Sequence, residues 1–156
     1  MLLFMMLLVS ACSFSPIYGD KSQSSSNIKL SYAEPKNRLE QIIYKDLAHK
    51  LGDSENSDLL TISVSSSSRS VARTSNDLPF SIKEAVLTAS ITLVDNENAN
   101  NIIFSGTRSA ATSYSTNGQI ISDKKALEDA QEKAALELAQ TIRLTVIGAI
   151  STNATN

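Results

Sequence analysis

Between residues 85 and 93 every second residue is apolar: Ala85, Leu87, Ala89, Ile91 and Leu93 alternate with positions that include Thr88, Ser90 and Thr92. A period of two puts the apolar set on one face of a β-strand and the hydroxyls on the other. The chain must therefore supply something to cover one side of a sheet. The same alternation recurs at Leu60, Ile62 and Val64 against Thr61, Ser63 and Ser65, and at Ile28, Leu30 and Tyr32 against Lys29 and Ser31. A fourth β-prone stretch, residues 102–115, carries apolar residues at both parities, so its face stays open. The run DNENANN, residues 95–101, is a strong turn signal ahead of it, and NGQ, residues 117–119, closes the sheet.

Two segments change to a helical period. Over residues 37–51, Leu39, Ile42, Ile43, Leu47 and Leu51 share one face, with Arg38, Glu40, Lys45, Asp46 and Lys50 elsewhere. Pro35 stops the preceding strand, and Gly52 is placed to end this helix. A second, longer helix is expected over about 123–147, with Leu127, Ala130, Ala134, Leu138, Ile142 and Val146 as its stripe and Ser122 or Asp123 as its cap. Two striped helices need a surface, and one face of a four-stranded antiparallel or mixed sheet supplies it. The expected fold is a two-layer α+β sandwich, with two helices on one sheet face, in the order β-α-β-β-β-α. Its 156 residues suit one domain, expected over 28–150, with a tail over 151–156.

Composition removes several function classes. Fourteen Lys and Arg against sixteen Asp and Glu leave a net charge of −2, without the basic footprint of a nucleic-acid binder. One Cys excludes an internal disulfide and any multi-cysteine metal site. Catalytic chemistry is equally sparse. His49 is the sole histidine and falls in the last turn of the first helix, where a cation is welcome. Ser122 to Lys125 fits S-x-x-K, but neither S-D-N nor K-T-G accompanies it, and a helix start accounts for these residues. No P-loop, G-x-S-x-G or zinc spacing occurs. The expectation is a non-enzyme that needs no cofactor or metal.

The lone cysteine, Cys12, follows the apolar run MLLFMMLLV and the small residues Ser10 and Ala11. That run is far short of the roughly 20 residues that span a bilayer, and it has the length of a signal-peptide core. No Lys or Arg precedes it, so a basic segment is expected further upstream. Val9-Ser10-Ala11-Cys12 resembles the lipobox of bacterial lipoproteins. The resemblance implies removal of residues 1–11, acylation of Cys12, and a polar tether over 12–27. Ser13, not Asp, follows the cysteine, which by the same resemblance favours the outer membrane. The stretch Cys-Ser-Phe-Ser-Pro-Ile-Tyr-Gly, residues 12–19, resembles the opening of the lipopolysaccharide-assembly lipoprotein family (LptE type) at Phe14, Pro16, Tyr18 and Gly19, with Ser13 in place of the common Gly. Residues 37–51 resemble that family's first helix, Gly106-Thr107-Arg108 to Ser113-Tyr114 its last strand, and 129–142 its Ala-rich second helix. Members sit in the polar lumen of a large outer-membrane β-barrel translocon, plug it, and help deliver lipopolysaccharide. The partners so implied are that barrel, lipopolysaccharide, and the outer membrane through the anchor.

Two features fit such partners. Thr61, Ser63, Ser65, Thr88, Ser90 and Thr92 give a polar sheet face almost free of charge. Hydroxyls can donate or accept as a neighbour requires, although Thr also favours strands for its own sake. For lipopolysaccharide phosphates, Arg69, Arg73, Lys83 and Arg108 are the candidate contacts. A strand period of two is expected to keep Arg69 and Arg73 on one face, and pairing to bring them beside Lys83. The alternative is a lipid-anchored periplasmic ligand-binding or transporter-auxiliary lipoprotein.

Overall fold

The computed structural model describes residues 28–73 and 80–153; Cys12, the leader and the whole tether lie outside the described residues. The elements run β1 (Ser31–Tyr32), α1 (Arg38–Leu51), β2 (Leu59–Arg73), β3 (Ser81–Val94), β4 (Ile102–Thr116) and α2 (Ile120–Asn153). The sheet order is β1-β2-β3-β4, with β1 parallel to β2 and the remaining pairs antiparallel. This is the expected α+β arrangement, with a mixed sheet.

The strand expected over residues 28–32 shrinks to Ser31–Tyr32, extended by a single parallel bridge from Leu30 to Asp53. Leu30 is nevertheless fully buried and anchors the core at that end. In α1, Asn37 caps the helix by accepting from the Glu40 amide at 3.0 Å. At the other end Gly52 stops it at φ 84°, ψ 162°, a region essentially restricted to glycine, while its N–H still donates to the Ala48 carbonyl. Ile43, Leu47 and Leu51 are buried as the stripe requires. Leu39 and Ile42 are only partly covered, and Tyr44 and Glu40 take the buried places.

The buried Glu40 corrects the reading that placed it on the outer face, and its contacts give the reason. Beyond the two residues of β1, the outer edge of β2 has no strand partner among the described residues. Tyr44 accepts from the Ile62 amide at 2.7 Å and donates to the Ile62 carbonyl at 3.3 Å. Glu40 accepts from the Val64 amide at 3.1 Å and from the Lys36 amide at 2.6 Å. Two helix side chains thus do what a neighbouring strand would do, and a buried edge is left satisfied.

Helix lengths explain which parts of the sheet are covered. At about 1.5 Å per residue, α1 is ~21 Å long and α2 ~51 Å, whereas β2 extends ~50 Å at about 3.3 Å per residue. α2 therefore runs the length of β3 and β4. It buries Ala130, Ala134, Ala135, Leu138, Ala139, Ile142 and Val146 over Ala85, Leu87, Ala89, Ile91 and Leu93. By length and composition α2 could cross a membrane, but these contacts identify it as the helix that covers the sheet. α1 covers only the first half of β2. There Leu60 and Ile62 are buried, while Ser66, Ser68 and Ser70, on the same face, are exposed. The switch from alternating apolar residues to continuous serine coincides with the end of helical cover.

α2 begins at Ile120, three residues before the expected start, and continues to Asn153. Asp123 is not its cap. Its carboxylate reaches back to accept from the amides of Asn117 (2.8 Å) and Gly118 (3.1 Å), tying the β4–α2 turn. Ile120 and Ile121 start the helix at 86 % exposure each, with no apolar partner to signal them in the periodicity. The 95–101 turn forms as expected, closed by Asp95 N–H to the Asn101 carbonyl at 3.0 Å.

Candidate functional site

Register settles the face of β4 that its own sequence left open. Phe104, Gly106, Arg108, Ala110 and Thr112 stand opposite Leu93, Ile91, Ala89, Leu87 and Ala85, so from Phe104 onward the even residues face the helices, while a register shift before it puts Ile102 opposite Val94. The odd residues face away, and this completes the hydroxyl surface. Thr61, Thr92 and Ser105 form one cross-strand row; Ser63, Ser90 and Thr107 the next; Ser65, Thr88 and Ser109 the third. Nine Ser and Thr residues stand in a three-by-three block, and no charged side chain stands in these rows. With strands about 4.8 Å apart and rows two residues apart, the block measures roughly 10 by 14 Å. Only the two central-strand threonines, Thr88 and Thr92, are half-buried; the other seven residues are exposed. Both helices lie on the opposite face. The sequence pointed to six of the nine; Ser105, Thr107 and Ser109 needed the register.

The block is bounded. At one end stands the row Leu59, Val94 and Ile102, and at the other Ser67, Val86 and Ala111. One row further, Arg69 pairs with Glu84, its Nη2 and Nε both 2.8 Å from Oε2, with the Arg69 side chain 70 % exposed.

The four basic candidates do not converge. Arg69 lies on the uncovered face and is matched by Glu84. Lys83 is opposite Ser70 and Tyr114, which places it on the helix-side face. Between Ser70 and Ala72 the register shifts, so that Ala72 stands opposite Ile82 and Arg73 opposite Ser81. That bulge inserts Val71 as an extra residue and breaks the period of two expected to keep Arg69 and Arg73 on one face. Arg69 and Lys83 share one end of the sheet, as pairing implied, but lie on opposite faces, and the backbone of Arg73 falls at that same end. Arg108 is opposite Ala89, six residues along β3 from Lys83, or about 20 Å at strand rise. Its guanidinium donates from Nε to Thr145 Oγ1 (3.0 Å) and from Nη1 to the Thr107 carbonyl (2.8 Å), and lies 5.8 Å from the Phe104 ring centroid.

Two ionisations on α1 itself are perturbed. Burial pushes the Glu40 carboxyl up, but the amides of Lys36 and Val64, the Asn37 side chain and the Lys36 charge outweigh it and hold the group below the usual carboxylate range. Burial pushes the Tyr44 phenol up, and the Glu40 charge adds to this against the opposing bond to Ile62. Both groups sit against the β2 edge, where Tyr44 accepts from the Ile62 amide and Glu40 from the Val64 amide. Among the described residues no three His, Cys, Asp or Glu side chains converge as a metal site.

No protein-family model matches the chain, and no curated protein matches it in sequence. Solved structures do resemble it. A Caulobacter crescentus protein described as a lipoprotein superposes with TM-score 0.61 at 20 % identity, over 80 % of this chain and 91 % of that one. A minor lipoprotein from Acinetobacter baumannii gives 0.58 at 20 % identity, over 78 % and 93 %. Rare lipoprotein B from Shewanella oneidensis gives 0.53 at 12 % identity, over 82 % and 98 %. At these identities the likeness is one of fold, and it extends over 91–98 % of those chains.

Proposed function

We propose that the chain is a non-enzymatic, lipid-anchored outer-membrane subunit that plugs and helps assemble a large β-barrel translocon for lipopolysaccharide. The in-register hydroxyl block carries the reading. A solvated sheet face ordinarily intersperses Lys and Glu, whereas a surface pressed into a barrel lumen lined by polar side chains has reason to avoid unpaired charge. The Val-Ser-Ala-Cys lipobox resemblance at residues 9–12 supports the anchor, and the shared fold of proteins described as lipoproteins agrees with it. Lipopolysaccharide contact is assigned to the sheet end that carries Arg69, Arg73 and Lys83, where phosphate would compete with Glu84 for Arg69.

The deciding experiment is affinity purification of the tagged chain from outer membranes. A large β-barrel protein should co-purify with it, and Ser90→Lys, at the centre of the block, should abolish the association while leaving the fold intact. Retained association in that variant removes the hydroxyl face from the interface. If no barrel protein co-purifies with the unaltered chain, the auxiliary-lipoprotein reading takes its place.

A further inference from the structure

We propose that the groove between β4 and the C-terminal half of α2 binds a single-chain anionic amphiphile, with its acidic head on Arg108 and its acyl chain along the helix. The groove is open to solvent, has a volume of about 490 Å³, and is lined by Ile103, Phe104, Arg108, Leu144, Gly148 and Ala149 together with polar residues of α2. Three details make it more than a surface dent. The Phe104 ring is folded down along its strand, so close to Gly106 that a Cβ there would meet Cζ at 2.8 Å. Glycine at 106 thus lets the ring lie as a floor, reaching toward the Arg108 guanidinium. On the helix side Gly148 leaves open space, with nothing within 4 Å of where its Cβ would stand. Leu144 flanks this gap 65 % exposed and offers an apolar wall beside it.

Charge selects the occupant's head. Arg38 and Arg69 each hold a carboxylate, but among the described residues no carboxylate lies within ion-pair distance of Arg108. Its partners are a hydroxyl, a carbonyl and a ring face, all neutral, and Nη2 has no protein acceptor among the described residues. A guanidinium braced by neutral groups above an aromatic ring is preset for a phosphate or carboxylate. The tail is selected by the apolar middle of the groove, formed by Ile103, Phe104, Leu144, Gly148 and Ala149, with Thr145 beside Arg108 and the polar Thr152 and Asn153 at the C-terminal end of the lining. From Leu144 to Ala149 the helix advances about 7.5 Å, enough for a run of several methylenes to lie beside it.

Calorimetric titration of the full chain carrying Cys12→Ser, with dodecyl phosphate below its micellar concentration, tests this. Dodecanol and inorganic phosphate serve as the headless and tailless probes. Dodecyl phosphate should bind one to one, about tenfold or more tighter than dodecanol, and inorganic phosphate should not saturate. Arg108→Gln should erase the preference for the phosphate and leave dodecanol unchanged. Gly148→Leu, which fills the groove where no atom now stands, should weaken both ligands at least tenfold with unchanged circular dichroism. Leu144→Asn should do the same to a smaller degree. Equal affinity for dodecyl phosphate and dodecanol, saturation by inorganic phosphate alone, or full binding in a folded Gly148→Leu protein would each overturn the proposal. The groove lies on the helix side of the sheet, so Gly148→Leu should still co-purify the barrel; the two proposals fail separately.

Discussion

Replacing Glu40 by alanine is expected to destabilise the domain by about 2–4 kcal/mol. The Val64 amide is half-buried and loses a charged acceptor at 3.1 Å, a loss of about 1.5–3 kcal/mol for a charge-assisted bond. The Lys36 amide, bonded at 2.6 Å, is exposed enough for water to replace the carboxylate, which reduces its share to about 0.5–1 kcal/mol. These are net figures that already contain the carboxylate's own desolvation, and the cap at Asn37 remains in place. In urea unfolding followed by circular dichroism, with a slope near 2 kcal/mol/M, the midpoint should drop by roughly 1–2 M. Glu40→Gln separates charge from shape. The folded-state pKa of Glu40 is depressed, so its contribution is fully present above the unfolded carboxylate value, about 4.3, and is lost as pH falls through the lower folded value. The unaltered chain should therefore lose more stability than Glu40→Gln between pH of about 5 and 3, and the two curves should approach each other at the acid end. A midpoint shift below about 0.3 M for Glu40→Ala, or parallel pH profiles for the two proteins, would show that the β2 edge does not depend on this carboxylate.

Leu138→Asp places a charge at a fully buried position in the seam between α2 and the sheet; a loss above about 4 kcal/mol is expected, read as protease sensitivity and loss of the barrel partner. Gly52→Ala forces a side chain onto φ 84°, ψ 162° and should cost about 1–3 kcal/mol in the same urea assay. Ser90→Lys, exposed on the central strand, should leave stability within about 0.5 kcal/mol, so its loss of barrel association would report the interface alone. Arg69→Ser with Arg73→Ser should weaken binding of purified lipopolysaccharide and flatten its salt dependence, measured by titration at two ionic strengths. Intact mass of membrane-extracted protein should show residues 1–11 gone and acyl mass on Cys12; a free thiol there refutes the anchor.

The element order and the two-layer class were readable in the sequence, because each rests on local periodicity. Ala85 to Leu93 repeat every two residues and Ala130 to Val146 every three or four, and a half-apolar strand and a striped helix each have one way to hide that surface. Gly52 and the 95–101 turn were legible for the same reason, since backbone stereochemistry and short-range hydrogen bonds act within a few residues. What depends on two distant segments was not. The burial of Glu40 and Tyr44 follows from a two-residue β1 that leaves the β2 edge bare, a fact about pairing that α1 cannot carry in its own pattern. The face of β4 needed its register against β3, and with it came the third column of hydroxyls. Arg69 and Arg73 parted because one extra residue at Val71 shifts the register, and sequence parity does not count bulges. Arg108 became a cation in a groove only once the C-terminal turns of α2 were laid beside β4, with Gly106 and Gly148 leaving room on either side. Local pattern decides what each segment must hide, whereas register and helix length decide what it is left beside.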